Sequence, residues 1–83
     1  MTLPTLHLGG TPRSRLLEGY CRAHEAVYAA IQALDDVEFN HRDYPDTDQW
    51  DAAVRERVEA REHLRQVLVY TMEHAEHASE PLA

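Results

Sequence analysis

The sequence has 83 residues and a formal net charge of −7, and all eight of its basic residues are arginine. A chain this short forms one small domain with a thin core, so we expect it to need a partner chain for stability. The negative charge would repel a phosphate backbone, which argues against general nucleic-acid binding. The single cysteine, Cys21, excludes a disulfide within the chain.

The amino terminus, MTLPTLHLGG, has neither a basic start nor an apolar run, so no signal peptide is predicted. No segment is long and apolar enough to span a bilayer. We therefore expect a cytoplasmic protein without a membrane partner.

Residues 1–11 are predicted to form an extended arm that ends in a turn. A proline and the pair Gly9-Gly10 disfavour a helix here. The arm offers three apolar side chains for burial: Leu3, Leu6 and Leu8.

Helix one is predicted over residues 12–36. The side-chain oxygen of Thr11 would accept a free amide of the first turn, and Pro12 suits the first helical position because its missing N–H has no partner there. Apolar residues then recur at spacings of three and four, which is the pattern of one helix face. These residues are Leu16, Tyr20, Ala23, Val27, Ala30, Ile31 and Leu34.

A connector leads into the second helix. Pro45 forces Tyr44 out of helical geometry. Asp46 or Thr47 is the predicted N-cap, and Gln49 stands in capping-box position relative to Asp46. The apolar face predicted for this helix consists of Trp50, Val54, Val58, Leu64, Leu68, Met72 and Ala75.

The predicted fold is all-α, a long antiparallel helical hairpin with an extended amino-terminal arm, forming one domain over residues 1–83. Two helices cannot cover each other's apolar faces completely, so we expect hairpins to pack into a homo-oligomeric helical bundle. The predicted segments are the arm at 1–11, helix one at 12–36, the connector at 37–46 and helix two at 47–79.

Two arginines interrupt the apolar face of helix two. A projection at about 100 degrees per residue places Arg57 and Arg61 near the middle of that face, where an unpaired charge is costly. Their partner could be Glu38, Asp43 or Asp46, a carboxylate of another subunit, or a bound anion. Two interpretations stay open: the side chains reach water or pair with acids, or they line an anion pocket, since guanidinium groups match phosphate geometry.

The connector sequence FNHRDYP groups an amide, an imidazole, a guanidinium, a carboxylate and a phenol. His41, Arg42 and Tyr44 could border one cavity and offer a hydrogen-bonding ring, a phosphate fork and a surface on which a base stacks. A structural interpretation is also open, in which Asn40 forms a left-handed helix end, Asp43 makes a turn and Tyr44 packs as a lid. That interpretation leaves Arg42 unexplained.

The histidines and the cysteine give little support to metal binding or catalysis. His74 and His77 have the spacing of two ligands on one helical turn, but both are predicted on the solvated side, and a closed zinc site needs about four ligands. Cys21 and His24 are interpreted as helix packing, with His24 hydrogen-bonded. We expect no metal, no cofactor and no enzymatic activity.

Two stretches, HLGGTPRSRLL at residues 7–17 and NHRDYP at residues 40–45, together resemble a group of short proteins from actinobacterial phages. That group has the pattern Leu-Asn-Gly-Thr, then a helix, then Asn-Gly-Arg-Asp-Tyr-Tyr before a second helix. Gly9, His41 and Pro45 differ from the pattern. The positions that match it are Leu8, Gly10, Thr11, Asn40, Arg42, Asp43 and Tyr44.

The size and helical form of the chain are also similar to those of phage anti-defence sponges, small oligomers that sequester the nucleotide immune signals of Thoeris or CBASS systems. This resemblance implies binding of a cyclic ADP-ribose-type or cyclic-oligonucleotide signal without turnover. The alternative function is a protein-interaction module that inhibits a host protein through acidic helix faces. The predicted ligand-binding residues are Gly10, Thr11, Asn40, His41, Arg42, Asp43, Tyr44, Arg57 and Arg61.

These residues cannot meet within one antiparallel hairpin, because the turn at Gly10 and Thr11 lies at the opposite end from the connector. Antiparallel association of two chains would bring them together. The turn amides and the positive start of helix one would then form an anion cradle, with Arg42 and Arg57 supplied by the neighbouring chain.

Overall fold

A computed structural model describes residues 1–6 and 9–80 of the chain. Helix α1 spans Arg13–Asp36, a 3₁₀ turn spans His41–Asp43, and helix α2 spans Thr47–Ser79, with no strand among the described residues. The predicted all-α class is therefore confirmed for this part of the chain. The predicted burial of Leu8 lies outside the described residues.

Helix α1 begins one residue later than the sequence predicts. Pro12 is its N-cap, and the Pro12 carbonyl accepts the N–H groups of Arg15 at 3.0 Å and Leu16 at 3.1 Å. Within the described ranges no side chain caps this end, so the prediction that Thr11 caps the helix is wrong. Proline fits the N-cap because its ring fixes φ, here −55°, while ψ of 137° stays extended.

Helix α2 begins with a side-chain cap. Asp46, one of the two predicted caps, accepts the N–H groups of Asp48 at 2.8 Å and Gln49 at 3.4 Å through Oδ1. A carboxylate there satisfies free amides and complements the positive end of the helix dipole. The helix then continues for 33 residues, a length of about 50 Å at 1.5 Å per residue.

The two helices pack side by side and run antiparallel. Arg13 donates to the carbonyl of Ala78 near one end, and Arg61 pairs with Asp35 near the other. The fold measures 59 × 21 × 17 Å, and its radius of gyration is 18.2 Å. A compact domain of this length would have a radius of gyration of about 12 Å, so the chain is a rod.

The core of this rod is thin. Four residues of the described ranges are fully buried, namely Ile31, Thr71, His74 and Ala78, and two of them are polar. The accessible surface is 6422 Å², whereas a compact monomer of this mass exposes about 5,000 Å². One chain therefore exposes more surface than a compact monomer of its mass.

The predicted apolar faces are correct only in part. Of the fourteen predicted positions, Ile31 is buried and ten are half-buried. Val58 is 62% exposed and Ala30 is also exposed, whereas Met72 is 41% exposed but lines a cavity with Cys21 and His24 of α1. The half-buried positions are Leu16, Tyr20, Ala23, Val27, Leu34, Trp50, Val54, Leu64, Leu68 and Ala75.

Candidate functional site

The connector is built around Trp50 of α2. Phe39 stacks on the indole, with ring centroids 4.9 Å apart and an interplanar angle of 25°. His41 lies edge-on at 4.8 Å, and Tyr44 packs at 6.0 Å. Offset-stacked and edge-on arrangements are the favourable geometries of aromatic rings. Three rings of the connector thus form a small apolar cluster that fixes the turn between the helices.

Turn chemistry accounts for the polar residues between these rings. Asn40 Oδ1 accepts the backbone N–H of Arg42 at 3.2 Å, and the Asn40 carbonyl accepts that of Asp43 at 3.0 Å. Asn40 has φ of −124°, in the extended region, so the prediction that it forms a left-handed helix end is wrong. It instead caps the 3₁₀ turn, because a short amide side chain bonds readily to the backbone two residues on.

Arg57 joins α2 to the end of α1. Its Nη2 donates to the carbonyl of Leu34 at 2.8 Å and to that of Val37 at 3.3 Å, and its guanidinium carbon lies 4.8 Å from the centre of the Phe39 ring. The last carbonyls of a helix lack partners within the helix and carry partial negative charge. Arg57 therefore contacts the connector, and its hydrogen-bond partners are carbonyl oxygens.

Arg61 forms an ion pair with Asp35 of α1. Its Nε and Nη2 donate to the two carboxylate oxygens at 2.9 Å and 3.1 Å. The hydrogen bond from Arg61 lowers the pKa of Asp35 below its usual value. Arg61 is 51% exposed in its side chain, so the prediction that it lies in the middle of a buried face is wrong. Its acidic partner was not among the predicted carboxylates.

The nine predicted ligand-binding residues do not converge in one chain. Gly10 and Thr11 are exposed beside the start of α1, the end at which Arg13 contacts Ala78. The other seven lie at the connector end: Asn40, His41, Arg42, Asp43, Tyr44, Arg57 and Arg61. Tyr44 and Arg57 are half-buried, and the other five, including Arg42, are exposed.

The surroundings of the connector are acidic. Residues 35–62 contain ten carboxylates and four arginines, a net charge of −6 out of −7 for the whole chain. A cavity of about 390 Å³ lies beside Tyr44, and Asp43 and Glu56 both line it. Because these carboxylates repel a phosphate group, a single chain offers a poor anion site here.

The amino-terminal arm docks on α2 through two histidines. His74 lies with Nδ1 2.8 Å from the Tyr70 carbonyl and Nε2 3.2 Å from the Thr2 carbonyl. His77 Nε2 lies 2.8 Å from the carbonyl of Pro4. A neutral imidazole donates through one nitrogen, whereas an imidazolium donates through both. The prediction that His74 lies on the solvated side is wrong, since it is 2% exposed.

Aromatic rings enclose the same histidine. The His74 ring stacks on Tyr70 at 4.0 Å and lies 4.7 Å from Tyr20. Burial, with a smaller contribution from Tyr70, raises the pKa of the Tyr20 phenol. The arm, α1 and α2 therefore meet at His74, which is the structural centre of this end of the rod.

The predicted hydrogen bonding of His24 is confirmed, whereas the interpretation of Cys21 as helix packing is wrong. His24 Nδ1 lies 3.3 Å from the hydroxyl of Thr71, and Cys21 is exposed. Across residues 1–6 and 9–80, no three histidine, cysteine or acidic side chains come together as metal ligands would. No helix in the described part of the chain has the length and apolar character needed to cross a membrane.

Comparisons with protein-family models, curated proteins and solved structures give no match to this chain.

Proposed function

We propose that this protein is a small helical interaction module that acts as a homo-oligomer. Further copies cover the outward apolar faces of the hairpin, and the assembled surface binds another protein. One observation carries the proposal: Ile31 and Ala78 are the buried apolar residues of the described chain, while five large apolar side chains on the helices are between 41% and 62% exposed. These five are Tyr28, Val58, Val67, Tyr70 and Met72.

The surface area supports association of this kind. The chain exposes 6422 Å², roughly 1,400 Å² more than a compact monomer of its mass. Each partner in a stable interface contributes about 800 Å². Packing with one more copy would therefore bury a little more than half of this excess surface. It would also complete a core that two helices cannot close alone.

The charge distribution indicates what the assembled surface binds. The net charge of −6 on residues 35–62 concentrates carboxylates at the connector end of each hairpin. Complementary charge speeds encounter with a partner and selects against wrong ones. We therefore propose that this end contacts a basic surface of a host protein.

Thermal unfolding at several protein concentrations tests the oligomer. Folding coupled to assembly makes the melting temperature rise with concentration, because dissociation accompanies unfolding. A melting temperature independent of concentration would contradict the proposal.

Sequestration of an anionic nucleotide is the second candidate, and the exposed side chain of Arg42 favours it. The pairing of Arg61 with Asp35 and the contacts of Arg57 with carbonyls leave Arg42 as the guanidinium best placed to meet a ligand from outside. In an antiparallel assembly, Gly10 and Thr11 of a second copy would complete the site.

Ligand release tests sequestration directly. The purified protein is mixed with cyclic dinucleotides, cyclic trinucleotides and cyclic ADP-ribose isomers, freed of unbound ligand and heat-denatured. Recovery of an intact nucleotide in proportion to protein, abolished by Arg42→Ala with assembly unchanged, would support sequestration. A processed product would indicate an enzyme. If no nucleotide is retained, sequestration is excluded for the signals tested, and the interaction module remains the proposed function.

A further inference from the structure

Helix α2 carries a second row of residues along one flank of the face that packs on α1; in this row Val69 is half-buried, and Met72 lines a cavity with Cys21 and His24 of α1. Along this outer row the spacings are three, four, three, four and three, which is the a/d pattern of a coiled coil. Val58 and Met72 are exposed in it, and the side chains of Glu62 and Arg65 are about half exposed. The outer row consists of Arg55, Val58, Glu62, Arg65, Val69 and Met72.

The outer row is complementary to the same row of a second copy that runs in the opposite direction. In an antiparallel pair of helices, each a residue faces a d residue of the other helix. Val58 then faces Val69 of a second copy, Glu62 faces Arg65, and the stem of Arg55 lies along Met72. We propose that two copies of this chain dock antiparallel through their outer rows, in a two-fold interface that uses the same surface twice.

Charge fixes the register of this interface. A shift by one heptad in one direction places Arg55 opposite Arg65 of the second copy. A shift in the other direction places Glu62 opposite Met72 and Arg65 opposite Val69. Both alternatives oppose like charges or bury a charge against an apolar side chain, each of which is unfavourable.

The proposed register gathers four charges at the two-fold axis. Arg65 already pairs with Glu62 of its own chain through two bonds of 2.8 Å. In the dimer each guanidinium also reaches the carboxylate of the second chain, which gives two acids and two bases in alternation. At the outer ends Asp51 meets Glu76. Both are exposed, so solvent and salt screen that repulsion.

This interface rests on the self-association proposed above, and a charge exchange tests it separately. Glu62→Arg makes all four central charges positive, and Arg65→Glu makes them all negative. Each variant alone should raise the dimer dissociation constant by about tenfold or more, because like charges oppose each other. Mixing the two variants should restore the dimer, since every contact between chains then joins opposite charges.

The mixture distinguishes contacts between chains from contacts within one chain. In it, residues 62 and 65 still repel each other within each chain, so recovery can come only from pairing between chains. The matched control exchanges charge in the exposed pair Glu18 and Arg22 on α1, which lies outside the outer row. Glu18→Arg and Arg22→Glu should leave the dissociation constant unchanged.

Sedimentation measures the mass of the assembly, and circular dichroism measures its helicity. A heterodimer from the mixed variants, with recovered helicity if either variant alone unfolds, is the expected outcome. A mixture that recovers neither mass nor helicity overturns this interface, as does a wild-type oligomer that both variants leave intact. A wild-type chain that is monomeric at every concentration would instead overturn the proposed function itself.

Discussion

Arg57 of α2 donates through Nη2 to the carbonyl of Leu34, at a distance of 2.8 Å, and so holds the last turn of α1. The same nitrogen lies 3.3 Å from the Val37 carbonyl, and the guanidinium covers the Phe39 ring. One side chain thus joins both helices and the connector. The charged side chain of Arg57, on the side of α2 that faces α1, therefore has a structural role.

Removal of that side chain should loosen the connector end. A hydrogen bond from a charged group contributes about 1.5–3 kcal/mol, so Arg57→Ala should lower the free energy of unfolding by that amount. Arg57→Lys should also destabilise, because an ammonium lacks the planar fork. Urea denaturation at matched protein concentration measures both. Arg22→Ala, which removes an exposed pair with Glu18, should cost less than about 1 kcal/mol, and an equal loss in this control would contradict the role given to Arg57.

The ion pair between Asp35 and Arg61 should make the free energy of unfolding depend on pH in the acidic range. Because the hydrogen bond from Arg61 lowers the pKa of Asp35 in the folded state, the contribution of the pair is fully present above the unfolded pKa of about 3.9 and is lost as pH falls through the folded pKa. The difference in unfolding free energy between wild type and Asp35→Asn should therefore shrink below about pH 4. If the difference between wild type and Asp35→Asn stays constant below about pH 4, the ion pair does not stabilise the folded state as proposed.

The docking of the arm should depend on His74. A His74→Phe variant keeps a ring against Tyr70 and Tyr20 and removes both ring nitrogens, including Nε2, which lies 3.2 Å from the Thr2 carbonyl. Amide exchange at the start of the chain should become faster, while exchange in the middle of α1 stays slow. His63→Phe on the exposed surface of α2 is the matched control. Unchanged exchange in the arm of the His74 variant would refute this docking.

Trp50 should hold the connector together. Trp50→Ala removes the ring against which Phe39, His41 and Tyr44 pack. Because the indole is only half-buried, the loss should be about 2 kcal/mol, below the roughly 3–5 kcal/mol of a fully buried aromatic residue. Trp50→Phe keeps a stacking surface and should cost less. Equal stability of the Ala variant and wild type, measured by urea denaturation, would argue against the cluster.

Much of the helical framework could be predicted from the sequence. Periodic apolar residues and the capping carboxylate of Asp46 are local signals, and they located both helices to within a residue or so. Val58 was misassigned because a straight projection of 33 residues treats every apolar position as facing one partner. The structure divides them between an inner face and an outer row.

The environment of the arginines and histidines was harder to predict. Asp35 and the Leu34 carbonyl, the partners of Arg61 and Arg57, lie at the end of α1. The carbonyls at the end of a helix need hydrogen-bond donors, and this need is the signal that could have indicated these partners. The burial of His74 depends on an arm more than seventy residues away in sequence, which helical periodicity cannot report. The ligand-binding role of the nine residues stays a prediction.

Sedimentation equilibrium of the wild-type protein over a wide range of concentration tests whether this chain works as an assembly of copies. We expect a folded species whose mass is a multiple of 9.5 kDa, and which loses helicity as dilution drives it toward single chains. A fully helical species of 9.5 kDa at every concentration would contradict it.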